Sequence, residues 1–253
     1  MSLANTDSPT RFELLRTDTR RELLAGLVTL VLATLALGLL GLSGPVHISI
    51  AVLVYLGISS AIYAGLALHL PHVTFGPANR ISLARGIIIS LMAGLVLNMP
   101  SEALAGWVVF AMTITALILD GLDGAVARRT GMASPLGARL DGELDGLMTL
   151  VLCLLIYFSD RADAIVLLSG ALHYVFLGAS RLGMLPDVDL PQSFRRQCLG
   201  VCSVFLLVLC CVPLIGQSAS IVLAGTSAAL LLISFSIDFI FVLSNRKQRG
   251  TVK

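Results

Sequence analysis

Long apolar runs alternate with short polar turns along nearly the whole chain. Eight of these runs approach the length of about 20 residues that a helix needs to cross a membrane. They lie at residues 23–43, 48–70, 83–98, 104–120, 142–158, 164–181, 198–215 and 220–243. Turn residues such as Ser43-Gly44-Pro45 and Pro71 separate them. The pattern predicts an all-α, polytopic membrane bundle of about eight transmembrane helices, because only helices satisfy their own backbone in lipid at this hydrophobicity.

The composition favours a membrane protein over a soluble domain. The 253 residues are 57% hydrophobic and only 13% charged, whereas a soluble domain carries about 25% charged residues. The five cysteines all fall in apolar segments without metal-ligand spacing. That placement indicates packed residues rather than a disulfide framework. The net charge of +2 gives no indication of a nucleic-acid partner.

The distribution of basic residues predicts the orientation of the spans. If the chain crosses eight times, 16 of the 17 Lys and Arg residues fall on one side, and only Arg161 falls on the other. Basic residues accumulate in cytoplasmic loops. We therefore expect an integral protein of a bacterial-type inner (plasma) membrane, with both termini in the cytoplasm.

Four aspartates stand between the fourth and fifth apolar runs. The sequence reads Asp120-x2-Asp123-Gly124-x2-Ala127-Arg128-x8-Gly137-x3-Asp141-x3-Asp145. Gaps of three and four residues place each pair of aspartates on one face of its helix. A carboxylate in a transmembrane helix costs roughly 2.5–3.5 kcal/mol, and four carboxylates repel one another unless cations lie between them. The pattern predicts a cytoplasmic site for two divalent cations, Mg²⁺ or Mn²⁺, which prefer oxygen ligands, and it indicates an enzyme.

This stretch resembles the motif of the CDP-alcohol phosphatidyltransferase family at every fixed position. A second segment, Asn79-Arg80-Ile81-Ser82-Leu83-Ala84-Arg85, is similar to the Asn-x-x-Thr-x-x-Arg start of that family's first core helix. Here Ser82 stands where Thr is usual. The resemblance covers residues 77–243 and implies a six-helix catalytic core. The two preceding spans depart from the family pattern, and the sequence assigns them no role.

The resemblance also implies a reaction. The donor is a CDP-linked lipid, most often CDP-diacylglycerol, and an acceptor alcohol attacks the β-phosphorus and expels CMP. Asp120, Asp123 and Asp141 are implied as metal ligands. Asp145 is implied as the general base and as a further metal ligand. Glu143 points away from Asp141 and Asp145 on a helix, so we leave it out of the site.

A nucleotide-binding set accompanies the aspartates. Gly124 and Ala127 leave room for a nucleotide close to the helix, and Arg128 offers a guanidinium fork for phosphate or the pyrimidine edge. The full set is Asn79, Arg85, Gly124, Ala127, Arg128 and Gly137. For Asn79 and Arg85 the alternative is a helix cap and an arginine that only marks the cytoplasmic side.

The motif does not identify the acceptor, since glycerol 3-phosphate, inositol phosphate and serine are all used with it. A phosphorylated acceptor is favoured by four arginines on the predicted cytoplasmic side, unless these serve only topology. They are Arg139, Arg181, Arg195 and Arg196. One alternative function is transfer of phosphocholine or phosphoethanolamine from a CDP-amino-alcohol to diacylglycerol. A carboxylate-lined cation transporter is less favoured, because transporters tend to bind ions near the bilayer midplane.

The predicted organisation has four parts. Residues 1–22 form a cytoplasmic segment, either an interfacial amphipathic helix or a solvated tail. Residues 23–70 form two extra transmembrane helices, residues 71–243 the catalytic membrane domain, and residues 244–253 a cytoplasmic tail. Dimers are common in the resembling family, which favours a homodimer.

Overall fold

The computed structural model describes residues 8–97, 103–181 and 194–250. Within these ranges it contains eight α-helices, one 3-10 helix and no strand. The α-helices are α1 (Ser8–Leu39), α2 (Pro45–Ala64), α3 (Gly76–Leu95), α4 (Ala103–Thr130), α5 (Pro135–Phe158), α6 (Ile165–Arg181), α7 (Phe194–Cys210) and α8 (Gln217–Gly250). The 3-10 helix spans Leu66–His69. The all-α prediction is confirmed.

Five described helical segments are long and apolar enough to cross a membrane. They are Thr10–Leu39, Pro45–Ala64, Gly76–Leu95, Ala103–Thr130 and Gln217–Ser234. These segments are consistent with the predicted polytopic bundle. The remaining helices are less apolar or shorter, because α5 carries three carboxylates in its first half and α6 and α7 have 17 residues each.

The helices that carry the polar motifs extend beyond the apolar runs. α3 begins at Gly76 instead of residue 83, α4 continues to Thr130 instead of residue 120, and α5 begins at Pro135 instead of residue 142. Hydropathy marks only the part of a helix that suits lipid, whereas the helical backbone continues into the polar residues. α1 likewise begins at Ser8, so the described part of the predicted N-terminal segment is continuous with the first span.

The chain divides into two compact units, Met1–Asp145 and Gly146–Lys253. In the first unit α3 is the most buried helix and packs against α1, α2 and α4. In the second unit α8 packs against α6 and α7. There Arg161 donates to three backbone carbonyls at the end of α7 and just after it, at 3.1–3.3 Å; they belong to Cys210, Val212 and Ile215. The predicted domain boundaries follow motifs instead of packing, and they stay a prediction.

The first two helices pack directly on α3. The Tyr55 hydroxyl of α2 donates to the Leu23 carbonyl of α1 at 2.7 Å. A Cβ added at Gly86 of α3 would lie 3.4 Å from Ile58 of α2. Glu22 of α1 forms an ion pair with Arg80 of α3 at 2.6 Å. α1 and α2 therefore cover α3, the helix that carries the Asn79 and Arg85 motif.

A tight turn joins α4 to α5. Gly131 follows the last residue of α4 with a φ of +66°, a left-handed conformation that favours glycine. The amide of Met132 donates back to the Ala127 carbonyl at 3.1 Å, which closes the end of α4 in a Schellman motif. The Met132 side chain then lies over Gly76, where a Cβ would be 2.6 Å from the Met132 Cε. The end of α4 and the start of α5 thus meet the start of α3.

Candidate active site

Carboxylates from α4 and α5 lie close together in the first unit. One oxygen from each of Asp120, Asp141 and Asp145 lies within 4.8 Å of the other two. α5 presents Asp141 and Asp145 on the same face because they are one turn apart. Their side chains are 51% and 54% exposed, so solvent and small molecules reach them. The structure therefore brings together three of the four aspartates that the sequence singled out.

Asp123 lies beside this cluster and faces α3. Its Oδ2 accepts a hydrogen bond from the Ser82 hydroxyl at 2.7 Å, and the residue is buried. Ser82 is the position where the resembling family usually has Thr, and a hydroxyl is what the contact requires. The resemblance implied Asp120, Asp123 and Asp141 as metal ligands, with Asp145 as general base and further ligand. The structure gives three close carboxylates and a fourth, Asp123, that also accepts from Ser82, so a ligand role for Asp123 stays a prediction.

One guanidinium reaches all four carboxylates. Arg85 of α3 is fully buried, with 0% of its side chain exposed, and forms an ion pair with Asp120. Its nitrogens lie 3.8 Å from Asp123 Oδ2, 3.3 Å from Asp141 Oδ1 and 3.6 Å from Asp145 Oδ1. Nη2 also donates to the Asp141 carbonyl at 3.1 Å. The sequence placed Arg85 in the nucleotide-binding set and did not identify it as the partner of the aspartates.

The charge of the cluster suits a divalent cation. Four ionised carboxylates against one guanidinium leave three negative charges without compensation by Arg85. Such charges close together favour a cation between them. The clustered ligand atoms are all oxygens, which Mg²⁺ and Mn²⁺ prefer over nitrogen or sulfur. The Arg85 guanidinium shows that a positive group already fits among these carboxylates, and three of them can hold a metal ion.

Asn79 lies at the start of α3 and is buried. Its Nδ2 donates to the Phe75 carbonyl at 2.7 Å. Its Oδ1 would lie 3.5 Å from a Cβ at Gly137, so the missing side chain of Gly137 lets α5 approach α3. The close approach predicted for Gly137 is thus present. Asn79 Nδ2 also lies 3.5 Å from His69 Nε2. Nucleotide binding by Asn79 or Gly137 stays a prediction.

His69 connects the loop before α3 to the start of α5. Its Nε2 lies 3.0 Å from the Thr74 carbonyl, and its Nδ1 lies 2.7 Å from the Ser134 hydroxyl. A carbonyl only accepts, so we assign the proton to Nε2. The Ser134 hydroxyl then donates to Nδ1, while its oxygen accepts from the Gly137 amide at 3.3 Å and caps α5. His69 lies beyond the span that ends at Ala64, and burial lowers its pKa, which favours this neutral form.

Sequence reasoning missed His69 and Ser134. The pair Ser134-Pro135 is a typical helix start, so the cap had a local signal. His69 had none, because its partner Ser134 is 65 residues away in the chain.

The remaining predicted binding residues are more exposed. Arg128 reaches back over Gly124, since its Nη1 lies 3.3 Å from where a Cβ of Gly124 would be. The Ala127 carbonyl accepts the hydrogen bond from the Met132 amide that closes the end of α4. Arg139 donates through Nε to Glu143 at 2.9 Å, which agrees with leaving Glu143 out of the aspartate cluster. The side chains of three predicted acceptor residues lie outside the described part of the chain; they are Arg181, Arg195 and Arg196.

Comparison with known proteins adds to this geometry. The sequence pattern of the family described as CDP-alcohol phosphatidyltransferase matches residues 75–239, which include all four aspartates. An archaetidylinositol phosphate synthase of Aeropyrum pernix is 30% identical over 129 residues, which are 50% of this chain and 65% of that protein. The match therefore spans slightly less than two thirds of that relative's length. No solved structure matches the chain. Because the family match covers well over half of the chain, this protein belongs to the CDP-alcohol phosphatidyltransferase family, whose members are transferases of phospholipid synthesis.

Proposed function

We propose that this protein transfers a phosphatidyl-type group from a CDP-linked lipid, CDP-diacylglycerol, to an alcohol with release of CMP. The observation that carries the proposal is the cluster of Asp120, Asp141 and Asp145, whose oxygens lie within 4.8 Å of one another inside the region matched to the family. A cluster of half-exposed carboxylates beside long apolar helices suits a reaction between a lipid-anchored donor and a water-soluble acceptor.

In the proposed reaction Asp145 acts as the general base. Its carboxylate takes the proton of the acceptor hydroxyl while that oxygen forms a bond to the β-phosphorus, and the bond between this phosphorus and the CMP oxygen breaks. A carboxylate is a weak base toward an alcohol, so the proton transfer is concerted with the attack. The 54% exposure of the Asp145 side chain supports this role, because the acceptor has to reach it from solvent.

Asp120, Asp123 and Asp141 complete the proposed metal site together with Asp145. A bound Mg²⁺ or Mn²⁺ would neutralise the diphosphate and the negative charge that develops on the departing CMP. The two carboxylates of α5 and Asp120 of α4 belong to different helices, so the position of the site depends on how α4 and α5 meet. Two ions, as the resemblance implies, remain part of the proposal.

The nucleotide would lie along α4 beside the aspartates. Arg128 supports this placement, because its guanidinium is exposed and lies over Gly124, where no side chain stands in the way. Asn79, Arg85, Ala127 and Gly137 remain proposed neighbours of the nucleotide. The proposed site faces the cytoplasm, and the proposed assembly is a homodimer.

The test is CMP release by the purified full chain in lipid with CDP-diacylglycerol and a panel of alcohols. We expect radiolabelled alcohol to enter lipid only when Mg²⁺ or Mn²⁺ is present, since the ligand set consists of oxygens. Full CMP release in excess chelator would contradict the metal site. Lipid formation only from CDP-choline or CDP-ethanolamine and diacylglycerol would replace the proposed donor with the converse class of substrate.

We propose a phosphorylated acceptor. The name of the Aeropyrum pernix relative's product includes an inositol phosphate, and the arginine set of this chain suits a phosphate. Arg181→Ala is expected to raise the KM for the phosphorylated acceptor roughly ten- to a hundred-fold, the effect of one lost charged hydrogen bond. The KM for the CDP-lipid should stay nearly constant.

The matched control for this acceptor test is Arg21→Ala, which removes an exposed arginine on the same predicted side of the membrane. We expect it to leave both KM values unchanged. An unchanged acceptor KM in Arg181→Ala, or efficient use of a neutral alcohol alone, would contradict the phosphate pocket.

A further inference from the structure

The segment that precedes the family match contacts the start of α3. The Asp18 carboxylate of α1 accepts a hydrogen bond from the Phe75 amide at 2.8 Å. The family match begins at residue 75, so this contact joins a residue outside the match to the first residue inside it. This contact places α1 next to the start of α3, the helix whose Arg85 pairs with the aspartates.

The same segment also contacts the start of α5. A Cβ added at Gly65, just after α2, would lie 3.0 Å from Leu136 in the first turn of α5. Four residues later, His69 is 1% exposed and forms the hydrogen bond to the Ser134 hydroxyl. α5 is therefore held at its first turn by one close packing contact and one part-buried hydrogen bond, both from residues outside the family match.

The contact between His69 and Ser134 can affect the aspartates through α5. Ser134 precedes Asp141 by seven residues, which is about two helical turns or about 10 Å along α5. A helix transmits a displacement of its first turn along its axis, because its backbone hydrogen bonds keep it stiff. A shift at Ser134 would change the distances from Asp141 and Asp145 to Arg85 on α3, which are now 3.3 and 3.6 Å.

We propose that His69 is a positioning residue for the reaction, since it holds the Ser134 cap and thereby places Asp141 and Asp145 of α5 against α3. The inference rests on the proposed function. It also gives the N-terminal segment a role, because the chain before residue 75 then completes the active site and is more than a membrane anchor. In the described part of the chain no hydrogen bond or ion pair joins His69 to the four carboxylates, so it acts on them through Ser134.

Two substitutions of His69 separate its hydrogen bond to Ser134 from its hydrogen bond to Thr74. His69→Asn retains an acceptor near the position of Nδ1 and so retains the bond to Ser134. His69→Gln retains a donor near the position of Nε2 and so retains the hydrogen bond to the Thr74 carbonyl. It loses the hydrogen bond to the Ser134 hydroxyl. We expect His69→Gln and Ser134→Ala to lower kcat about five- to tenfold, the usual effect of one lost hydrogen bond. His69→Asn loses only the bond to Thr74, which does not involve α5, so its kcat should stay within about twofold of the wild type.

The experiment measures kcat, the donor KM and the melting temperature with and without Mn²⁺ for the full chain in lipid. In the double variant His69→Gln, Ser134→Ala, kcat should fall no further than in either single variant, since both remove the same link. The rise of melting temperature on adding Mn²⁺ should shrink along with kcat. The control His72→Asn changes a neighbouring ring that forms no side-chain hydrogen bond to the rest of the described chain, and it should leave kcat unchanged.

Three results would overturn the proposal. One is a kcat within twofold of wild type in His69→Gln while that variant is folded; another is a multiplicative loss in the double variant. The third is a melting temperature that falls equally with and without Mn²⁺ while kcat stays normal, because that pattern describes a purely structural residue. A wild-type chain that releases no CMP from any CDP-linked donor would instead reject the proposed function itself.

Discussion

Asp145→Asn is expected to lower kcat by about 10²–10⁴-fold, the usual contribution of a positioned general base. Asparagine has nearly the same shape but takes no proton from the acceptor alcohol. The metal should still bind in part, because Asp120 and Asp141 remain within 4.8 Å of each other. CMP release and Mn²⁺ binding measured on the same preparation separate the two effects.

Asp120→Asn gives the complementary result, since the site then loses a charge contributed by α4. We expect weaker metal binding and weaker metal-dependent binding of the CDP-lipid. Glu143→Gln is the matched control, because Glu143 lies on the same helix as Asp145 but pairs with Arg139 at 2.9 Å. Near-normal turnover in Asp145→Asn would reject the general-base role. Equal losses of metal binding in Asp145→Asn and Asp120→Asn would mean that the two carboxylates have the same role.

Arg85→Gln should destabilise the metal-free protein and enlarge the stabilisation that a divalent metal provides. Removing one partner of a buried ion pair costs about 3–5 kcal/mol, and the half-exposed Asp141 and Asp145 place the effect at the lower end, about 3 kcal/mol. The guanidinium lies among the carboxylates, so it repels a metal bound there. Without it, the carboxylates repel one another until a metal binds.

The readouts for Arg85 are the melting temperature in chelator, the rise of that temperature with Mn²⁺, and CMP release. We expect turnover to fall roughly ten- to a hundred-fold if the guanidinium also contacts the donor phosphates. Arg80→Gln is the control, because Arg80 lies on the same helix but is 55% exposed and pairs with Glu22. Weaker Mn²⁺ binding in Arg85→Gln would show that Arg85 organises the metal ligands and does not compete with the metal.

Arg85 is expected to stabilise the metal-free protein and to oppose metal binding, and both effects follow from its position among the carboxylates. The same group neutralises part of the aspartate charge in the free protein and would stand beside a metal in the working enzyme. Its Nη2 also donates to the Asp141 backbone, so it fixes the second turn of α5. Arg85 therefore supplies one positive charge that partly compensates the four carboxylates where α3, α4 and α5 meet.

Local spacing predicted much of this arrangement. The gaps of three and four residues placed Asp120 with Asp123 and Asp141 with Asp145, because helical periodicity is a property of neighbours in sequence. The apolar runs predicted helices, since hydropathy measures what a segment prefers as its surroundings. They do not mark the ends of α3, α4 and α5, where each helix continues past the apolar residues into the polar motif.

Contacts between distant residues required the fold. Arg85 precedes Asp141 by 56 residues, and His69 precedes Ser134 by 65. No local pattern in the sequence indicates that Arg85 pairs with the aspartates, or that His69 contacts the serine that caps the helix bearing two of them. The sequence by itself determined the residue types, their helical faces and the family. The tertiary structure alone decided which charges oppose one another, because that depends on how α1, α2, α3, α4 and α5 pack.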